Sequence, residues 1–362
     1  MDVQYVPYRA KKILNIHKHA DSWFWDKYSA HPYIGCEHGC EYCYSREAKY
    51  SRYSDPDDFS KVIKVKKNAA ELLRKELSRV HKDIVIVSDY QPVEKKTELS
   101  RKMLQVCLDL EFPVSFLEKS PLVLRDIDLI EEINRRSWAA VTFSIITTKD
   151  DKTRSMFELG APPVSSRFKA IKQFSEKGIL AGVAFMPILP FIYDDDENLE
   201  EVVKATAENG GKFVLAGGLT LASPQREVYY RVLGKHFPEL TTKYQKLYSG
   251  GYGPECGYWG AIGKKVGKLC QKYGILDRMP RYNPEGSLAV NRRVSESLQN
   301  QLYRMELDCV SNYRIWAYRK AAWALEDLTE SVAEIYAQKG RRGLEEINGV
   351  GKSLAAEIER QL

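Results

Sequence analysis

The chain has 362 residues, 44% of them hydrophobic and 29% charged, and 55 Lys and Arg against 49 Asp and Glu give a formal net charge of +6. That is enough chain for two or three domains with buried cores, which excludes a disordered polymer and a disulfide-stapled mini-protein. The positive excess is compatible with a nucleic-acid partner and too small to require one.

In chain order, residues 1–12 hold no apolar stretch of the kind a secretory signal needs. Three of the seven cysteines crowd into residues 36–43. Short apolar runs at 33–35, 84–88, 114–118, 140–146, 181–186 and 213–216 predict strands. Amphipathic stretches at 69–78, 98–110, 127–135, 166–177 and 199–208 predict the helices between them. This alternation argues for a parallel α/β sheet, open or curved into a barrel, with its active site where the strands end. The longest apolar run, 178–193, is short for a membrane span and is broken by Pro187 and Pro190. A cytoplasmic protein with no membrane partner is expected.

Residues 223–271 read as helical, with a glycine- and aromatic-rich loop at 249–260. Residues 279–287, with Pro280, Pro284 and Gly286, read as a linker, and 294–362 as helices with no strand. The expected domains are a core at 1–222, its helical extension and linker at 223–287, and a small all-α domain at 288–362. Residues 291–362 hold eleven Lys and Arg and eleven Asp and Glu. The net positive charge therefore belongs to the first domain, and the last must bind by geometry if it binds nucleic acid.

The sharpest local signal is Cys36-Glu-His-Gly-Cys40-Glu-Tyr-Cys43-Tyr44. In a cytosolic chain such clustering points to metal. Three thiolates on a tight loop can hold three irons of a cubane and leave the fourth open, because Cys107, the next cysteine, falls on a predicted helix. A zinc site completed by His31 or His38 is the competing reading.

The loop and its setting resemble the radical S-adenosylmethionine (radical SAM) superfamily, in its subgroup of spore photoproduct lyase and related DNA repair photolyases. The string PYIGCEHGCEYCY carries that resemblance, followed in order by Ser88-Asp89-Tyr90-Gln91-Pro92-Val93-Glu94, Glu118-Lys119-Ser120-Pro121, Ser144-Ile145-Ile146-Thr147-Thr148, Glu158-Leu-Gly-Ala161-Pro162, and Gly182 through Pro187-Ile188-Leu189-Pro190. The match runs over residues 10–290. It implies a partial (β/α)6 barrel and a [4Fe-4S] cluster on Cys36, Cys40 and Cys43. It also implies SAM at the open iron, cleaved to a 5′-deoxyadenosyl radical, and an electron donor such as ferredoxin or flavodoxin. Asp89, Tyr90 and Gln91, then Ser144, then the stretch at Pro187 are the implied SAM contacts. Tyr44 is a catalytic candidate. Spore photoproduct lyase uses a cysteine to return hydrogen to its product. No cysteine here matches it by motif, and Cys256 in the loop Gly-Pro-Glu-Cys256-Gly-Tyr is the candidate.

Near the C-terminus, Gly349-Val-Gly351-Lys352-Ser353 in the frame LxxINGVGxxxAxxI is the pattern of a helix-hairpin-helix. Its glycines let the backbone bend and present amide N–H groups to a phosphate without reading sequence. With Asn312-Tyr-Arg-Ile-Trp-Ala-Tyr318-Arg319-Lys320-Ala-Ala, the stretch 294–362 resembles the small N-terminal domain of family X DNA polymerases. Lys320, Arg341, Arg342, Gly349, Gly351 and Lys352 are the candidate DNA contacts. Some of those polymerases use a lysine on the last helix as a Schiff-base nucleophile. Glu357 stands at the corresponding position, so no lyase activity is expected. The reading is a radical SAM enzyme acting on nucleic acid, with DNA repair or base modification as its task. RNA or protein modification is the alternative, and a DNA-binding protein with a structural or redox-sensing cluster is a third.

Overall fold

A computed structural model describes residues 3–20, 22–51, 53–87 and 89–362. The chain divides into two compact units, one of residues 1–255 and 265–279 and the other of 256–264 and 280–362.

Among its described residues the first unit holds ten strands: β1 (Gln4–Tyr8), β2 (Leu14–Ile16), β3 (Tyr28–Ala30), β4 (Tyr33–Ile34), β5 (Val62–Lys66), β6 (Val85–Val87), β7 (Val114–Glu118), β8 (Ala139–Ser144), β9 (Leu180–Ile188) and β10 (Val214–Gly218). Seven form one sheet in the order β10-β9-β8-β7-β6-β3-β2, parallel throughout except for the antiparallel edge strand β2. From β3 to β10 the strands lie in sequence order, so the sheet winds in one direction only, as a barrel wall does. The other three form a small sheet, β1-β5-β4.

This arrangement corrects one expectation. The run at 33–35 is a strand, but of the small sheet, and the first parallel strand is Tyr28–Ala30. Its three residues include a serine and so give no apolar run.

The connecting helices are α1 (Ala69–Leu77), α2 (Leu99–Asp109), α3 (Ile127–Arg136), α4 (Val164–Glu176) and α5 (Asp196–Glu208). They cover one face of the sheet. On α3 the spacing of Leu129, Ile130 and Ile133 gives one buried stripe, worth about 1.5–3 kcal/mol per side chain. Asp195 caps α5 by accepting the Asn198 N–H at 2.9 Å. Phe143 of β8 meets Phe174 of α4 at 6.4 Å, so Ser144, next in the strand, faces away from the helices.

The second unit packs α8 (Ala289–Leu307), α9 (Asn312–Asp327), α10 (Val332–Glu345) and α11 (Lys352–Glu359) around Leu298, Ala321, Leu325, Val332, Leu344 and Ile358. Gly340, with φ of 59°, breaks α10 into two segments. Helices α6 (Gln225–His236) and α7 (Cys256–Lys272) precede this bundle, and residues 256–264 of α7 pack as part of it. Gly260 and Gly263 let Leu307 come close, since a Cβ on Gly260 would stand 2.3 Å from the Leu307 carbonyl oxygen.

Candidate active site and nucleic-acid interface

The cysteine loop leaves β4 and is held by backbone-directed contacts. Gln91 donates to the Gly35 carbonyl at 3.0 Å and accepts the Glu37 N–H at 2.9 Å. The Glu37 carboxylate accepts the Val93 N–H at 2.6 Å and the Tyr5 hydroxyl at 3.0 Å. The buried guanidinium of Arg46 lies over Phe59 and donates to the carbonyls of Cys40 at 3.0 Å, Pro56 at 2.8 Å and Gly39 at 3.3 Å. Gly35 and Gly39 supply the left-handed turns, with φ of 87° and 60°.

The three cysteines carry no disulfide. Burial, then the neighbouring charges of Cys40, Asp89 and Cys43, pushes the Cys36 thiol well above its ordinary value. Burial pushes Cys40 up to about 12. Bare thiolates are therefore costly here unless a cation compensates them. Among the described residues, no group of three or more His, Cys, Asp or Glu is gathered closely enough to hold a metal ion, the three loop cysteines included.

A buried ionic network ties this loop to the strand ends. Tyr42, between two of the cysteines, donates its hydroxyl to Glu158. The Glu158 carboxylate also receives Arg154 at 3.0 Å and both terminal nitrogens of Arg167, with Lys119 at 3.9 Å. Burial alone would raise the Glu158 carboxyl, but the charges of Arg167 and Lys119 outweigh it and hold the group below the usual carboxylate range. Arg167 donates to the Ser144 carbonyl at 2.9 Å. The Lys119 ammonium donates to Ser144 Oγ at 2.5 Å, and Ser144 Oγ donates to the Met186 carbonyl at 3.1 Å. The ends of β7, β8 and β9 thus meet at Ser144, one residue from Pro187.

The SAM candidates divide. Asp89, at the end of β6 with φ of 111°, keeps a partly exposed carboxylate 3.6 Å from His31 Nδ1. Its N–H and that of Tyr90 go to the buried Glu118 at 2.6 and 3.2 Å. Tyr90 is fully buried with its hydroxyl on Asp126 at 2.9 Å, and the amide of Gln91 is spent on the cysteine loop. These two side chains are thus engaged by the protein's own Asp126 and Gly35. Ser88 lies outside the described residues. Sequence reasoning missed Lys119, Arg46, Glu158 and Arg167 as site residues. For Arg167 a signal existed, a charge inside the apolar stripe Val164, Phe168 and Ile171.

Tyr44 is 52% exposed and meets Tyr50 edge to face at 5.4 Å, so it does not pack under the loop. Cys256 is corrected. It is in the second unit and bonded to Cys309, so it has no S–H hydrogen to give in this state.

In the second unit the hairpin is built as the glycine pattern requires. Gly349 has φ of 84°, and Gly351 caps α11 in extended conformation. A Cβ on Gly349 would stand 3.4 Å from Lys320 Cβ, so α9 borders the hairpin and brings Lys320 to it. Lys352 follows directly and is exposed. Arg341 is engaged by Glu359, with Nε at 2.9 Å, and Arg342 is 90% exposed with Glu346 at 3.9 Å. Glu357 accepts from Gln301 at 3.0 Å and pairs with Arg360. Among the described residues no helix is long and apolar enough to cross a membrane.

Comparison with known proteins follows this division. Residues 291–362 match the family model of a helix-hairpin-helix domain. An uncharacterized protein of Mycobacterium tuberculosis is 28% identical over 271 residues, covering 73% of this chain and 79% of its own length. An uncharacterized protein of Methanocaldococcus jannaschii is 29% identical over 194 residues, covering 53% of this chain and 70% of its own. Spore photoproduct lyase superposes with a TM-score of 0.55 at 14% identity, over 74% of this chain and 79% of that one. A variant of that lyase bound to S-adenosylmethionine and a dinucleoside spore photoproduct gives 0.54 at 14% identity, over 74% and 78%. At that identity the likeness is one of fold. The α/β part of the chain has the fold seen in spore photoproduct lyase, and residues 291–362 match a helix-hairpin-helix domain.

Proposed function

We propose that this protein is a radical SAM enzyme acting on nucleic acid, with DNA as its substrate class and repair or modification of a base as its task. One observation carries the reading. The three-cysteine loop is tied through Tyr42 and Glu158 to Ser144 and Lys119 at the carboxyl ends of a singly wound parallel sheet.

In residue type and spacing the loop suits a [4Fe-4S] cluster. Cys36, Cys40 and Cys43 would hold it, on a loop where burial favours thiolates only against a compensating cation. Such a group would supply the electron for reductive cleavage of SAM, the source of a radical able to take hydrogen from a substrate. Arg46 and Gln91 fix the loop through its backbone. Lys119, half-buried and donating to Ser144, offers an ammonium suited to the SAM carboxylate. Asp89 and Ser144 are the other polar groups at the strand ends, and Pro187 closes the apolar side. The phenol of Tyr44, next in sequence to Cys43 and open to solvent, is the O–H we assign to hydrogen transfer with the product.

The hairpin amides around Gly349 and Gly351, with Lys320, Lys352 and Arg342, are assigned to phosphate oxygens of the DNA backbone. Joined to the catalytic unit, such a domain raises the local concentration of substrate. Glu357 makes it a binding domain without Schiff-base chemistry.

The experiment is anaerobic 5′-deoxyadenosine release from reconstituted protein with SAM and a reductant, with no substrate, intact DNA, UV-damaged DNA or bulk RNA. Stimulation by DNA is expected. Stimulation by RNA alone would move the substrate class, and no release under any condition would remove the radical reading. Gly351→Pro tests the second domain. Its φ of −88° lies just outside the range of proline, so the substitution deletes one N–H and shifts the turn slightly. Affinity for a gapped duplex, read by fluorescence anisotropy, should fall roughly tenfold with iron content unchanged.

A further inference from the structure

Of the seven cysteines, three lie in the loop, and Cys107 and Cys270 are buried. The remaining two, Cys256 and Cys309, are joined as a disulfide 53 residues apart in sequence. Both are exposed. The bond ties two parts of the second unit. Cys256 opens α7, whose first residues pack on Leu307 through Gly260 and Gly263 and pair Lys264 with Asp308 at 2.7 Å. Cys309, with φ of 52°, turns the chain from α8 into α9. Helix α9 is the one whose Lys320 borders the hairpin at Gly349.

We propose that Cys256–Cys309 is a reversible thiol–disulfide modification site that holds this unit in its nucleic-acid-binding form. The proposal rests on the reading of the unit as a nucleic-acid module. Two features argue for reversibility. Both sulfurs are open to an attacking thiolate. In addition, the cysteines at 36, 40 and 43 must stay reduced to bind metal, so the protein works where an exposed disulfide can be reduced. The reductant is a dithiol. One of its thiolates attacks a sulfur of the pair, the other sulfur leaves as thiolate and takes a proton, and the second thiol resolves the mixed disulfide. The pair gains two electrons and two protons, and the dithiol becomes its own disulfide. Opening the bond returns to the unfolded chain the entropy that the 53-residue closure removed and frees the root of α9.

The test uses the full chain. After mild oxidation with diamide and alkylation without reduction, mass spectrometry should find the peptides of Cys256 and Cys309 still joined, and dithiothreitol should separate them. The thermal midpoint of the second unit should fall by roughly 10 °C on reduction. Affinity for a gapped duplex should fall about tenfold, as it should in Cys256→Ser and Cys309→Ser protein without any reductant. Alkylation of both cysteines after diamide treatment overturns the proposal. So does equal affinity of the two redox forms when Gly351→Pro still weakens binding. Absence of nucleic-acid binding from every form overturns the reading of the unit as well.

Discussion

Cys40→Ala protein, reconstituted with iron and sulfide under anaerobic conditions, should come out without visible absorbance and release no 5′-deoxyadenosine above background. The expectation is sharp because the loop does not depend on the thiol for its shape. Arg46 grips the backbone carbonyls of Cys40 and Gly39, and Gln91 grips Gly35 and Glu37. Removing one buried sulfur should cost about 1 kcal/mol of stability and leave the fold intact. It should nonetheless remove a ligand that no other cysteine of the loop can replace. The check is iron content, the visible spectrum and SAM cleavage, with thermal unfolding as control. Full retention of cleavage would assign the cluster to other residues.

Glu158→Ala should have the largest effect on stability, a loss of about 3–5 kcal/mol in urea unfolding. The variant leaves Arg167 fully buried and Arg154 nearly so, with no carboxylate between them, and strands the Tyr42 hydroxyl. Glu158→Gln keeps an acceptor and should cost less, but it still removes the charge that compensates two guanidinium groups. Both variants should retain less iron per chain, because Tyr42 sits between Cys40 and Cys43. The pH dependence has a defined sign. The Glu158 carboxyl is held below its unfolded value of about 4.3, so its contribution is fully present above that pH and is lost as pH falls toward the depressed folded value. The Glu158→Gln protein should lack this part of the acid sensitivity. A loss under about 1 kcal/mol in Glu158→Ala would show that the network does not bear on the fold.

Much of this was legible in the sequence, and the gaps have physical causes. Strands β7, β8 and β9 are buried on both faces over most of their length and so read as apolar runs. β3 is three residues long with a serine in the middle, and β1 and β5 carry polar residues that hide them. The cysteine loop was readable because its three cysteines lie within eight residues of sequence. Its supports were not, because Arg46, Glu158 and Arg167 act through contacts made only after the sheet has formed. Tyr90 and Gln91 fell on the right loop, but the direction of a side chain there depends on Asp126 and on the cysteine loop itself. The Cys256 pairing was invisible for the same reason, since it follows from the approach of Leu307 to two helical glycines.

Helix α7 starts among the residues of one unit and finishes among those of the other. Linker removal is the usual way to ask what a binding module contributes, and this chain has no clean place to cut. A polypeptide ending at Met279 would retain Gly260 and Gly263 with a groove shaped for Leu307 and nothing to fill it. It would also carry an unpartnered Cys256 ready to cross-link two copies. Aggregation or dimerisation of such a fragment would therefore say nothing about catalysis. The hairpin module is better silenced in place, by a single backbone N–H, than amputated.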